Sequence, residues 1–142
     1  MGSRKHNKAE ETKDAKKTLY YARLNDNPTS PRKARLVADI VRGVDVERAL
    51  HVLKTAPQEA AEKIYKLLRS AIANWEKKNE GKRLEESGLY VKEIFVDGGR
   101  MLKRLRTAPQ GRGYRIKKRS NHITIILGSR LDVVQETEKN NE

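Results

Sequence analysis

The segment from Gly98 to Leu131 contains ten basic residues and no acidic residue. Because the whole chain has a net charge of +13, most of that charge lies in this one segment. Residues 91–96 and 123–127, on either side of most of these cations, are rich in β-branched and aromatic residues, with Gly, Pro and Gln between. This combination predicts one long β-hairpin with a strongly cationic far end.

The predicted hairpin is too long to fit inside the domain. Each arm between the apolar flanks and a turn at residues 107–111 has about a dozen residues, which span roughly 40 Å as a strand. A compact chain of this length has a radius of gyration of only about 14–15 Å. We therefore expect the hairpin, at about residues 94–125, to protrude. Since its cations repel one another, a polyanion is the expected partner.

The rest of the chain predicts an α+β fold, in which three helices pack on a small antiparallel sheet of about three strands. Residues 18–131 are expected to form this single domain, hairpin included, with a first strand at residues 18–24. Residues 1–17 are polar without an apolar period and predict a flexible tail. Residues 132–142 are mostly polar or acidic and predict a second flexible tail.

Three apolar stripes with helical spacing define the predicted helices. The first predicted helix begins at Ser30 and Pro31 and ends before Gly43. Leu36 and Ile40 widen the apolar stripe of this helix. A second helix follows Asp45, and a capping box from Thr55 to Gln58 predicts the start of the third. Trp75 continues the third stripe and is expected to pack in the core.

The first turn of the first helix carries Arg32, Lys33 and Arg35, where the helix dipole disfavours cations. A bound phosphate would reverse that cost, so these residues are candidates for contact with nucleic acid. A solvated basic face explains the same pattern, and the sequence leaves both interpretations open.

The sequence offers little for catalysis, so no enzyme, cofactor or metal site is expected. There is no cysteine, and His6, His51 and His122 fall in separate predicted elements. Asp97, followed by two glycines, indicates a bend or bulge better than a metal ligand. No apolar run approaches the length of a membrane-spanning helix. The helices show no surplus apolar face, so no homo-oligomer is expected.

Four motifs carry a resemblance to a known family: residues 30–43 (SPRKARLVADIVRG), 70–74 (SAIAN), 94–97 (IFVD) and 118–124 (KRSNHIT). In this order and spacing they resemble the large-subunit ribosomal protein L-twenty-two family of bacterial type. The resemblance implies a cytoplasmic protein with a small domain on the outside of the large ribosomal subunit. It also implies a hairpin that threads through ribosomal RNA and lines the polypeptide exit tunnel, with a role in subunit assembly.

The expected partners are ribosomal RNA, the nascent polypeptide and neighbouring ribosomal proteins, including protein L-four near the tunnel constriction. The expected RNA-binding residues are Arg32, Lys33, Arg35, Arg100, Lys103, Arg104, Arg106, Arg112, Arg115, Lys117, Lys118 and Arg119. The expected tunnel-lining tip comprises Lys103, Arg104, Thr107, Ala108, Pro109, Gln110, Gly111 and Arg112.

The residues alone leave one other function open and disfavour a second. A DNA-architectural protein would lay a β-ribbon arm into the minor groove, with Pro109 as the wedge at its tip. A small nuclease would need acidic residues clustered around Asp97, and the sequence shows no such cluster.

Overall fold

The computed structural model describes residues 3–79, 84 and 87–130. Its helices are α1 (Ser3–Thr18), α2 (Pro31–Val41), α3 (Val46–Thr55) and α4 (Glu59–Lys78). Its strands are β1 (Tyr20–Asn27), β2 (Leu89–Thr107) and β3 (Gly113–Ser129), and a short 3-10 turn, Pro109–Gly111, joins the last two. The α+β fold with one long hairpin is confirmed. The predicted tail at residues 132–142 lies outside the described residues.

The sheet is antiparallel in the order β1-β3-β2, so the returning arm of the hairpin is the central strand. Alternate residues of β3 point to opposite faces, and Ile123, Ile125 and Leu127 are all buried. These three pack toward the helices, and the opposite face of the sheet carries Tyr21 and Phe95, which are half-exposed. The predicted alternation in this strand is therefore correct.

The core forms where the stripes of α2, α3 and α4 meet the covered face of the sheet. Trp75 is 2% exposed and lies edge-on to Tyr20, which confirms its predicted place in the core. Leu36 and Ile40 differ from the prediction, because they are 66% and 51% exposed. The buried stripe of α2 is narrower and consists of Ala34, Val37, Ala38 and Val41.

The predicted capping box at the start of α4 is wrong. The helix begins at Glu59 with Gln58 as its N-cap, and Thr55 instead ends α3. The hydroxyl of Thr55 donates to the carbonyl oxygens of His51 and Val52, so it serves the preceding helix. Pro57 then lies in the link between the two helices.

Helix α1 occupies the residues for which the sequence predicts a flexible tail. Lysine, alanine and glutamate, which are good helix formers, supply much of it, and His6 and Glu10 lie 3.5 Å apart one turn from each other. The helix has no apolar stripe, as the sequence indicates, and the flexibility of this segment in solution stays a prediction. No helix in the described residues combines the length and apolar content needed to span a bilayer.

Helix α2 covers the outer edge of β2. The Arg35 guanidinium donates to the carbonyl oxygen of Val96 at 3.0 and 3.2 Å, and Arg42 donates to that of Ile94 at 3.2 Å. Farther along, Val44 and Val91 continue the edge through backbone hydrogen bonds. An open strand edge invites pairing with other chains, and these contacts close this one.

Candidate nucleic-acid interface

The distal part of the hairpin forms a two-stranded ribbon outside the domain. Val96 is the last buried residue of β2, and the residues beyond it are exposed or half-exposed as far as the tip. Ten strand residues from Gly98 to Thr107 span roughly 33 Å. The ribbon is therefore an arm that the domain itself does not cover, as predicted from its length.

Cross-strand pairing explains how such a basic ribbon stays paired. Five of the six residue pairs between Met101 and Arg106 set a cation opposite an apolar or aromatic residue, and only Lys103 and Lys117 oppose each other as like charges. The aliphatic stem of a Lys or Arg packs on an apolar neighbour while its charge stays in water. The pairs are Met101–Arg119, Leu102–Lys118, Arg104–Ile116, Leu105–Arg115 and Arg106–Tyr114.

The register also distributes the cations over both faces of the ribbon. One face carries Lys103, Arg115, Lys117 and Arg119, and the other carries Arg104, Arg106 and Lys118. Within the described part of the chain, no ion pair involves any of these seven residues. Both faces of the ribbon therefore present cations that are available to bind an external anion.

The tip is a five-residue loop, Ala108–Arg112, closed by a hydrogen bond from the amide of Ala108 to the carbonyl oxygen of Arg112 at 2.9 Å. Gln110 and Gly111 both have positive φ, at 61° and 68°. The strand continues through Thr107, so the turn begins one residue later than predicted. Pro109, Gln110 and Arg112 are exposed.

A β-bulge marks the point where the ribbon leaves the domain. The register shifts between Gly98 and Met101, which confirms the predicted bulge after Asp97. A Cβ on Gly99 would lie 2.6 Å from the Ser120 hydroxyl and 3.1 Å from its backbone carbon. The two arms therefore approach more closely here than a larger residue allows.

A groove of about 850 Å³ at this bulge joins two basic clusters that are far apart in the sequence. Lys33 from the start of α2 lies on one side, and the opposite side belongs to the ribbon. The lining cations are Lys33, Arg100, Lys117, Lys118 and Arg119, and the lining acids are Asp26 and Glu59. We call this the root groove. Its cations converge without a matching number of acids, an arrangement suited to a phosphate backbone.

A buried amide network, which sequence reasoning missed, holds the root groove together. Asn121 is 0% exposed and donates at 2.8 Å to both the carbonyl oxygen and the hydroxyl of Thr29. Asn27 donates to the Asn121 side-chain oxygen at 3.1 Å and to the Thr29 hydroxyl at 2.8 Å. Because Thr29 lies next to Ser30, the N-cap of α2, the network fixes the start of that helix against the hairpin. The only sign of this network in the sequence is the presence of three polar residues, Asn27, Thr29 and Asn121.

The three predicted cations at the start of α2 have different environments. Lys33 lines the root groove and Arg32 is exposed, whereas the guanidinium of Arg35 is bonded to Val96 on the edge of β2. Arg35 therefore has a structural contact that the sequence did not suggest. Its predicted role in RNA binding stays a prediction.

The three histidines lie in separate elements of the described residues. His122 lies opposite Asp97 in the register, and its Nδ1 accepts a hydrogen bond from the amide of Asp26 at 3.0 Å. His51 is exposed on α3, and His6 belongs to α1. No group of three or more His, Cys, Asp or Glu residues suited to a metal ion occurs in the described ranges.

Comparison with known proteins agrees with this geometry. The family model described as ribosomal protein L22p/L17e matches residues 22–128. The chain is 62% identical to the large ribosomal subunit protein uL22 of Christiangramia forsetii over 129 residues, which are 91% of this chain and 96% of that protein. It is also 62% identical to uL22 of Bacteroides fragilis over 130 residues, with 92% and 95% of the two chains covered. The chain belongs to the ribosomal protein L22p/L17e family.

Proposed function

We propose that this chain binds large-subunit ribosomal RNA through its hairpin and root groove and lines part of the polypeptide exit tunnel with its tip. As a family member it is a structural protein of the large ribosomal subunit in the cytoplasm, and it is not an enzyme. The RNA contacts, the tunnel, the assembly role and the partners protein L-four and nascent polypeptide belong to the proposal.

The observation that carries the proposal is the ribbon with cations on both faces and no acid. A ribbon that lay on a flat surface would need cations on one face only. Arg104 and Lys117 point to opposite faces, so RNA that neutralises both must surround the arm. The narrow profile of a two-stranded ribbon suits a passage between RNA helices.

The test compares charge reversals on the two faces in the full chain. Arg104→Glu and Lys117→Glu are each expected to weaken binding to large-subunit ribosomal RNA about tenfold or more, because each loses a charge-assisted phosphate contact. Arg48→Glu is the matched control with the same charge change, since Arg48 is exposed on α3 and is not among the residues that line the root groove. Affinities are measured by filter binding over a range of salt concentrations.

The unaltered chain is expected to show a log–log salt slope of about −6 or steeper if about eight cations meet phosphates. If a charge reversal on either face leaves the RNA affinity unchanged, the RNA does not surround the ribbon. If the affinity hardly changes with salt concentration, the electrostatic mechanism is wrong. Tighter binding to duplex DNA than to the ribosomal RNA would support the architectural alternative instead. A photocrosslinker at Arg112, in subunits that carry a stalled nascent chain, tests the tunnel position of the tip.

A further inference from the structure

We propose that a groove along the outer edge of β1 is a second RNA-binding surface, separate from the hairpin and its root. This β1-edge groove has a volume of about 470 Å³ and lies between β1 and the exposed side of α4. Its lining residues are Lys16, Leu19, Tyr21, Ala22, Arg23, Ser70, Asn74, Lys77 and Lys78. The inference rests on the proposed function and extends it to a surface that the hairpin does not reach.

The charge of the β1-edge groove favours a polyanion. Four of its nine lining residues are cations, and none is acidic. Lys78 donates to the carbonyl oxygen of Leu19 at 2.9 Å and lies 5.5 Å from the centre of the Tyr20 ring, so its charge is held at the edge of the strand. Arg23 and Lys77 are exposed. Cations that converge in a groove without a lining acid favour phosphates as the counter-charge, and Arg23 and Lys77 are the two that the test below changes.

The edge of β1 adds polar groups at the same place. The side-chain amide of Asn74 donates to the carbonyl oxygen of Tyr21 at 3.1 Å, which shows that this carbonyl points away from β3. In an antiparallel ladder such outward groups recur every second residue, so the amide and carbonyl of Arg23 face the same side. An outward amide is a donor for a phosphate or ribose oxygen, and the outward carbonyl accepts from a 2′-hydroxyl.

Tyr21 supplies an aromatic surface beside these groups. Its side chain is 45% exposed and lies on the sheet face opposite the one that packs against the core helices. An exposed ring next to cations is the arrangement on which unpaired bases stack. A cation-lined groove with one stacking ring fits a single-stranded RNA segment better than a duplex, whose bases are not free to stack on protein.

The β1-edge groove is at a distance from the hairpin root. Tyr20 pairs with Leu127, whereas Asn27 pairs with Asn121 beside the bulge. Four residues of extended strand separate Arg23 from Asn27, or roughly 13 Å. The two grooves share no lining residue. Substitutions in one are therefore expected to act independently of those in the other.

The test uses the full chain with the double change Arg23→Glu and Lys77→Glu. We expect affinity for large-subunit ribosomal RNA to fall at least about tenfold. The magnitude of the salt slope should fall by about two, one for each lost phosphate contact. Arg48→Glu is again the control, and Arg104→Glu serves as the hairpin variant. Combined with Arg104→Glu, the double change should reduce affinity by the product of the separate factors.

Directed cleavage locates the RNA. Because the chain has no cysteine, Ala73→Cys on α4 gives a unique attachment point for an iron chelate that cleaves nearby RNA. Cleavage from position 73 is expected in a segment different from that cleaved by the same probe at Leu105→Cys in the ribbon. If the charge reversals prevent folding, Arg23→Gln with Lys77→Gln removes the same two cations without introducing acids.

The outcomes distinguish a failure of the β1-edge groove as an RNA-binding surface from a failure of the function proposed for the hairpin. If the Arg23 and Lys77 changes leave RNA binding intact while Arg104→Glu weakens it, the cations merely protect the strand edge, so the second surface is refuted and the hairpin function stands. If these changes abolish binding of an acidic protein but not of RNA, the assigned partner is wrong. If the unaltered chain binds RNA no more tightly than its hairpin variant, the proposed function itself fails.

Discussion

Replacing Asn121 with alanine should destabilise the fold far more than the removal of one small side chain suggests. In the described residues every buried side-chain nitrogen or oxygen has a hydrogen-bond partner. Asn121→Ala would leave the carbonyl oxygen of Thr29 and one amide hydrogen of Asn27 without theirs. Each orphaned buried group costs about 1–3 kcal/mol, so we expect a loss of about 3 kcal/mol. That is a large fraction of the roughly 5–15 kcal/mol that stabilises a typical domain.

The assay is equilibrium unfolding in urea. With a slope of about 2 kcal/mol per molar urea, such a loss lowers the midpoint by about 1.5 M at unchanged slope. Asn25→Ala is the control, because Asn25 lies in the same strand as Asn27 but is exposed. Its midpoint should stay within the small range typical of surface changes.

A double-mutant cycle with Asn27→Ala tests the network itself. Asn27 and Asn121 share Thr29 as a partner, so the two losses should not add. The double variant should be less destabilised than the sum by about 1 kcal/mol or more. A loss below about 1 kcal/mol for Asn121→Ala, or strict additivity, would refute the reasoning, because water or a repacked neighbour would then satisfy the freed groups.

Three further predictions use other contacts. Arg35→Met should cost about 1–3 kcal/mol in urea unfolding, because it removes both donations to Val96, whereas the exposed Leu36→Gln should change little. Gly99→Ala should cost about 1–3 kcal/mol through its clash with Ser120, and Gly98→Ala should cost less, since nothing lies within 4 Å of its added Cβ. The hydrogen bond and charge of Lys66 lower the pKa of Glu62. Carbon NMR should show the Glu62 carboxyl titrating below its ordinary pKa of 4.5, and Lys66→Ala should raise the pKa of Glu62. Because the folded pKa is lowered, the small stabilisation from this pair is present above the unfolded pKa and is lost as the pH falls through the folded pKa.

Local patterns in the sequence predict the fold and the arm because each depends on neighbouring residues. The apolar period predicts α2, α3 and α4, and the glycines after Asp97 predict the bulge. The root groove is different, because it depends on the pairing register and on how α2 docks beside the hairpin. Lys33 and Lys117 are separated by more than eighty residues, and no local pattern relates them. The same reasoning explains the missed network around Asn121.

The exposure of Leu36 and Ile40 also has a physical cause. A helical wheel shows which residues share a face, but not how wide a face the partner covers. Helix α2 packs against the edge of β2, where Arg35 and Arg42 need room to reach the strand carbonyls. At 3.6 residues per turn, Leu36 and Ile40 lie on the other flank of the buried stripe, away from the β2 edge, so they fall outside it.

The cations of this chain divide into two groups with different effects on binding. Arg35, Arg42 and Lys78 donate to backbone carbonyls, and Arg130 lies 2.8 Å from Asp45. The second group comprises the ribbon cations together with Arg23 and Lys77 of the β1-edge groove. Among the ribbon cations of the described residues, Arg104 alone donates to a backbone carbonyl, that of the adjacent Lys103 at 3.0 Å. Because salt dependence counts only the phosphates that are neutralised, the slope should follow the second group rather than the net charge of +13. Neutralising Arg42 should therefore lower the stability of the fold with little change in the salt slope of RNA binding. Neutralising Arg115 should reduce the salt slope with little change in stability. Equal slope changes for both variants, measured by filter binding, would mean that bulk charge alone governs the association.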